Sequence, residues 1–139
     1  MNTAIILAGG VGSRVGANVP KQFIEVNGKP VLVYTIEIYQ KHPEVDAIEV
    51  VCHAKYIDYL YELIEKYHLT KVKWVTNGGE TFQESCLNGI DFLEDKLQDD
   101  DMIMIHYGAA PFTSQKILTD AIRVVRRKAM LSVVSLVIS

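Results

Sequence analysis

The sequence predicts an α/β fold, a mostly parallel sheet with helices on both faces. Two observations carry that prediction. Short, continuous apolar runs of the kind that fill strands buried on both sides alternate, from end to end, with longer stretches whose apolar residues recur at helical spacing. A glycine-rich loop follows the first apolar run directly. In open sheets of this class, ligands sit beyond the carboxyl ends of the strands, so the loops that follow strands become the places to search for a site.

The elements are predicted in order. "TAIIL", Thr3 to Leu7, reads as a buried strand because it is short, β-branched and apolar. "QFIEV", Gln22 to Val26, alternates and reads as a short extended piece. "NGKP" is a turn that places Pro30 at the first position of a helix running to about Lys41, with Val31, Tyr34, Ile38 and Thr35 on its inner face and Pro43 beyond its end. "AIEVVCH", Ala47 to His53, is the next strand. Lys55 to Leu69 is an amphipathic helix with Ile57, Leu60, Tyr61 and Ile64 inward. "VKWV", Val72 to Val75, is a strand, and "NGG" turns the chain into a helix from Glu80 to Leu97 with Phe82, Cys86, Leu87, Ile90 and Leu93 as its stripe. "MIMIH", Met102 to His106, is a fourth strand. Ser114 caps a helix reaching Lys128, and Leu131 to Ile138 is a fifth strand.

Composition bounds the function. A chain of 139 residues, 49% of them hydrophobic, reads as one domain over 1–139 with a sizeable core. A net charge of −3 supplies no general field for nucleic acid or for an acidic membrane. No apolar run reaches the about 18 residues that would span a bilayer. Met1-Asn2-Thr3 carries no basic region, and "TAIILA" is too short for a signal peptide. Cys52 and Cys86 lack metal-ligand spacing and read as buried reduced thiols, which fits a cytoplasmic setting.

The loop from Leu7 to Phe23, "LAGGVGSRVGANVPKQF", carries the chemistry. Bare glycine backbone can bring several N–H groups close to a phosphate chain. Arg14 adds a planar fork suited to phosphate oxygens, and Lys21 adds a compact mobile charge. Two cations spaced along one loop suit a polyphosphate. The loop is not a Walker A motif, since no glycine is followed by lysine. The dinucleotide pattern begun by Gly10-Val11-Gly12 fails at Val15.

"IILAGGVGSRVGANVPKQF" resembles the signature of the cytidylyltransferases that make CDP-alditols, a family that includes the 2-C-methyl-D-erythritol 4-phosphate and ribitol-5-phosphate enzymes. The likeness continues through "GKPVLVYTI", "HPEVDAIEVV", "GGETFQESCLNGI" and "IHYGAAP", up to about Arg123. It implies a Rossmann-like fold of the nucleotide-diphospho-sugar transferase kind. It also implies a reaction in which CTP and an alditol phosphate give a CDP-alditol and pyrophosphate. Methylerythritol phosphate would serve isoprenoid precursor synthesis, and ribitol phosphate would serve teichoic acid synthesis. By the same resemblance Arg14 and Lys21 stabilise charge on the phosphates. Leu7, Ala8, Gly9, Gly10, Gly12 and Ser13 would line the nucleotide, and Gly78, Gly79, Glu80 and Ser85 would close over cytosine and ribose. Other readings of these neighbours stand beside this one. Glu80 suits a helix dipole, Ser85 suits a serine bonded to its own helix, and His53 suits a structural histidine.

The chain departs from the family pattern in two places. His-Asp-Ala-Ala-Arg-Pro becomes His106-Tyr107-Gly108-Ala109-Ala110-Pro111, so Tyr107 stands where a magnesium-holding aspartate is expected and Ala110 stands where an arginine is expected. No protein ligand for a metal is therefore expected, and Mg²⁺ would arrive on CTP. The likeness also implies a longer chain, so this one is expected to be truncated, lacking much of the acceptor-binding and dimer-arm half. Its apolar last stretch predicts self-association or a homodimer. Beside the enzyme stand a CTP-binding remnant without turnover and, against the Pro20-Lys21-Gln22 triplet, a glycosyltransferase-like nucleotide-binding domain.

Overall fold

The computed structural model describes residues 1–9, 19–128 and 135–138. Five parallel strands form one sheet in the order β5-β4-β1-β6-β7: β1 (Asn2–Ala8), β4 (Ala47–Cys52), β5 (Val72–Asn77), β6 (Met102–Tyr107) and β7 (Ser135–Ile138). A two-residue antiparallel pair, β2 (Glu25–Val26) with β3 (Lys29–Pro30), stands apart from it. Four helices join the main strands: α1 (Val31–Gln40), α2 (Ile57–Lys66), α3 (Phe82–Leu93) and α4 (Gln115–Lys128). The strand order departs from β1 in both directions, towards β4 and β5 on one side and β6 and β7 on the other. The crevice between the carboxyl ends of β1 and β6 is thus a topological switch point, where ligands bind in such sheets.

Alternate residues of β1 serve opposite faces. Ala4, Ile6 and Ala8 pack with Leu32, Val33, Ile36 and Tyr39 of α1, Leu60 and Leu63 of α2, and Leu118, Ile122 and Val125 of α4. Ile5 and Leu7 pack with Val51, Ile103 and Ile105 beneath Leu93 of α3, with Trp74, Cys86, Ile90 and Phe92 at the margin. Helices therefore cover both faces, three on one and α3 on the other.

Several local expectations are corrected. The inner face of α1 is Leu32, Val33, Thr35, Ile36 and Tyr39, not the Val31–Tyr34–Ile38 stripe. Its sequence is apolar nearly all round, so periodicity cannot choose a face. Tyr34 instead sits at the margin and donates its hydroxyl to the Val26 carbonyl (2.7 Å). Pro30 ends β3 and precedes the helix. Lys21–Phe23 forms a single 3-10 turn before the extended Glu25–Val26 pair. Tyr61 of α2 is exposed, and Leu63 takes the inward place. Helix α3 begins after Thr81, whose side chain accepts the Glu84 N–H (3.1 Å), and it ends at Leu93; Phe82 and Leu87 face outward. Ser114 does cap α4, accepting the Ile117 N–H on its hydroxyl (3.1 Å). The terminal strand β7 lies at a sheet edge, and the start predicted for it at Leu131 falls outside the described residues. Among the described residues no helix is long and apolar enough to cross a membrane.

Candidate nucleotide site

The first wall of the site comes from Gly9, packed against a second glycine, Gly78. β1 ends at Ala8, and Gly9 follows it against Gly78, which leaves the end of β5. A Cβ on Gly78 would lie 2.7 Å from the Gly9 Cα, and one on Gly9 would lie 2.9 Å from the Ser85 hydroxyl and 3.0 Å from the Gly78 Cα. Backbone meets backbone here, so no side-chain rotation relieves a substitution. Ser85, buried in the first turn of α3, accepts the Gly79 N–H on its hydroxyl (3.0 Å) and ties the glycine turn to the helix. The sequence left open a serine bonded to its own helix. In the structure its partner is the turn ahead of the helix.

The second wall is the turn after β6. Gly108 donates its N–H to the Leu7 carbonyl (2.8 Å), and its own carbonyl accepts the buried Thr35 hydroxyl (2.8 Å). The Ala110 carbonyl lies 2.6 Å from His106 Nε2, and His106 Nδ1 lies 2.5 Å from the Tyr39 hydroxyl. A carbonyl only accepts, so Nε2 carries the proton and Nδ1 accepts from Tyr39. Burial lowers the His106 pKa, which keeps this neutral tautomer in place. Burial also pushes the Tyr39 phenol up, so it remains a donor.

Between these walls lies a cavity of about 410 Å³. Leu7, Gly9, Lys21 and Ser85, four of the residues singled out from the sequence, line it. Gln22, Phe82, Tyr107, Gly108, Ala109 and Ala110 are the other described residues of the lining. Gln22 is buried and donates its side-chain amide to the Ala8 carbonyl (3.0 Å), tying the return of the loop to its start. Its place beside Lys21 in the Pro-Lys-Gln triplet was the signal that could have found it. Phe23 behind it stacks on Tyr56 with ring centroids 4.8 Å apart, which fixes the segment carrying Lys21.

Not every candidate converges: Gly78 and Gly79 pack against Gly9 and Ser85 but are not among the residues that line the cavity. Ala8 is buried beneath the cavity, and its carbonyl is engaged by Gln22 and by the His53 N–H (3.2 Å). Glu80 is exposed and is not part of the lining; its N–H donates to the Glu84 carboxylate (2.9 Å). His53 accepts the Lys55 N–H on Nδ1 (3.1 Å), a capping role. Gly10, Gly12, Ser13 and Arg14 lie outside the described residues.

The donor set tests the magnesium expectation. No described lining residue is a carboxylate, and the sequence between Gly9 and Pro20 contains none. Among the described residues no group of three His, Cys, Asp or Glu side chains comes together. Magnesium favours carboxylate oxygens, so these walls do not fit a metal held by the protein. Lys21 is the single charged residue of the described lining. Among the described residues, the lining combines one cation with glycine and alanine backbone and two aromatic rings, a combination suited to an anion that carries a flat or apolar part.

Comparison with known proteins identifies the relatives of this fold. A ribitol-5-phosphate cytidylyltransferase of Lacticaseibacillus paracasei is 44% identical over 122 residues, 88% of this chain and 52% of that protein. A 2-C-methyl-D-erythritol 4-phosphate cytidylyltransferase of Clostridium acetobutylicum is 40% identical over 124 residues, again 88% of this chain and 52% of that protein. The crystal structure of 4-diphosphocytidyl-2C-methyl-D-erythritol synthase from Anaerococcus prevotii superposes with a TM-score of 0.72 at 25% identity, over 91% of this chain and 51% of that one. The chain thus spans about half the length of the curated relatives it matches. The sequence pattern of the family described as IspD, 2-C-methyl-D-erythritol 4-phosphate cytidylyltransferase, matches residues 2–138, and the chain belongs to that family.

Proposed function

We propose that the chain acts as a nucleotidyltransferase, moving CMP from CTP to an alditol phosphate with release of pyrophosphate. The observation that carries this reading is the placement of Lys21 in the lining of the switch-point cavity together with Gly9, whose backbone packs against Gly78, in a member of this family. An acceptor phosphate oxygen would attack the α-phosphorus in line while the bond to pyrophosphate breaks. Such a reaction asks the protein for position and charge rather than covalent chemistry. Lys21, joined by Arg14, would meet the charge that grows on the phosphates. Magnesium would be held by the triphosphate's own oxygens, and no step is assigned to it. Ribitol 5-phosphate is favoured as acceptor, since relatives named for it reach 44% identity against 40% for those named for methylerythritol phosphate.

Calorimetric titration of CTP, with and without Mg²⁺, tests the binding half of this reading. Saturable binding is expected, weakened by Lys21→Ala, and pyrophosphate release should fall about 10²- to 10³-fold in that variant, as for loss of one preorganised charge-stabilising donor. A folded sample that does not bind CTP would overturn the reading. A second reading, CTP binding without turnover, is favoured by Tyr107 and Ala110 at positions where the family resemblance expects a carboxylate and a guanidinium. Binding without pyrophosphate release in the presence of either acceptor selects it. A cytoplasmic setting belongs to the proposal, supported by two free cysteines, of which Cys52 is buried with its thiol pushed up to about 12. Self-association belongs to it as well, supported by β7 at a sheet edge. Light scattering should show a mass above that of one chain, and a monomer at high concentration would count against it.

A further inference from the structure

Phe82, on the first turn of α3, and Tyr107, at the end of β6, stack across the cavity rim with ring centroids 4.8 Å apart and planes 23° from parallel. Both line the cavity, and both stay open to solvent, Phe82 at 42% and Tyr107 at 38%. The rings are also held from behind. The turn under Tyr107 is tied by Gly108 to Leu7 and Thr35, and by Ala110 to His106. The start of α3 is tied by its Thr81 cap and by the bond from Gly79 to Ser85. The rim is therefore a fixed, half-open aromatic surface in the same cavity lining as Lys21.

We infer that the Phe82–Tyr107 stack is the surface on which the nucleoside end of the substrate rests, its flat base extending the stack while Lys21 meets the phosphates. This rests on the nucleotide reading above and assigns it two contact residues, Phe82, which the helix stripe placed in the core, and Tyr107. Aromatic stacking tolerates any base, so the pair supplies affinity, while backbone groups of the glycine turn are left to discriminate between bases.

The test separates the two ends of the ligand. CTP and inorganic tripolyphosphate are titrated into the full chain and into Phe82→Ala, Phe82→Leu, Tyr107→Ala, Tyr107→Phe and Lys21→Ala, each checked for folding by circular dichroism. Phe82→Ala and Tyr107→Ala should each weaken CTP by about 5- to 150-fold, the range of one lost base stack, and leave tripolyphosphate unchanged. Tyr107→Phe should stay within about twofold, since the ring and not the hydroxyl makes the contact. Lys21→Ala should weaken both ligands. Parallel loss of CTP and tripolyphosphate in the aromatic variants would make the stack a structural brace and overturn the inference, as would unchanged CTP affinity in folded variants. If the unaltered chain binds no CTP, the nucleotide reading falls and this inference with it. If Lys21→Ala weakens CTP and the aromatic variants do not, only this inference falls.

Discussion

The two faces of the sheet are covered to different depths. One carries α1, α2 and α4 over Ala4, Ile6, Ile48, Val50 and Met104, and most of the fully buried large side chains lie there. The other carries α3 over Ile5, Leu7, Val51, Ile103 and Ile105. The deep face provides bulk burial and braces the turn after β6 from behind, through Thr35 and Tyr39 of α1. The shallow face is where α3 brings Ser85 and Phe82 to the cavity. Stability and site assembly are thus divided between faces, and the helix that builds the site has the smaller core beneath it.

Paired truncations sharpen that division. Ile36→Ala in the deep face should cost about 2–5 kcal/mol, the usual range for emptying a full aliphatic site, with CTP affinity retained in the folded fraction. Leu93→Ala beneath α3 should cost stability towards the lower end of that range and weaken CTP as well, because the helix that positions Ser85 loosens. Urea denaturation with parallel calorimetry reads both quantities. Equal loss of CTP affinity in the two variants would break the comparison.

The shallow face also holds a buried acid. Glu49 is 0% exposed; one carboxyl oxygen accepts from the Thr76 hydroxyl (3.0 Å), and the other has no hydrogen-bond partner among the described residues. Gly89 of α3 passes so close that a Cβ there would lie 3.3 Å from the unpartnered oxygen. Burial raises the Glu49 pKa to about 7 from an ordinary 4.5, against smaller opposing effects of the Thr76 hydrogen bond and the Lys96 charge. The folded state then holds a proton that the unfolded state releases between these two values. Stability from this group is full below about pH 4.5 and is lost as pH rises to about 7. The gap is worth about 3 kcal/mol. Glu49→Gln should therefore be more stable than the parent at pH 8 by up to about that amount, with the difference shrinking towards zero as pH falls to about 4.5. Urea melts across this range check it, and a difference that does not change with pH would sink it.

Much of the fold was legible because parallel strands buried on both sides leave unbroken apolar runs, as in "TAIIL", "AIEVVC" and "MIMI". Faces were harder to read. Val31 to Tyr39 is apolar on every side, so only the packed structure shows that Leu32, Ile36 and Tyr39 point inward. Phe82 was read as core because its spacing fits the α3 stripe, yet the first turn of α3 lies at the cavity and its outward ring meets Tyr107. The site was half legible. Lys21 and the glycine turns announced themselves by residue type. Gln22 and the turn from Gly108 to Ala110 act through hydrogen bonds and close approach, which residue type alone does not signal.

The turn after β6 separates frame from tip. Its ties use the backbone of Tyr107, Gly108 and Ala110 and the side chains of Thr35 and His106, and none of these hydrogen bonds involves the Tyr107 side chain. Position 107 is therefore an interchangeable socket. A carboxylate or a phenol can be mounted there without rebuilding its support, because the turn's hydrogen bonds run through backbone and through Thr35 and His106. For an engineer, the same arrangement marks the place where new substrate preferences can be sampled at small cost to folding.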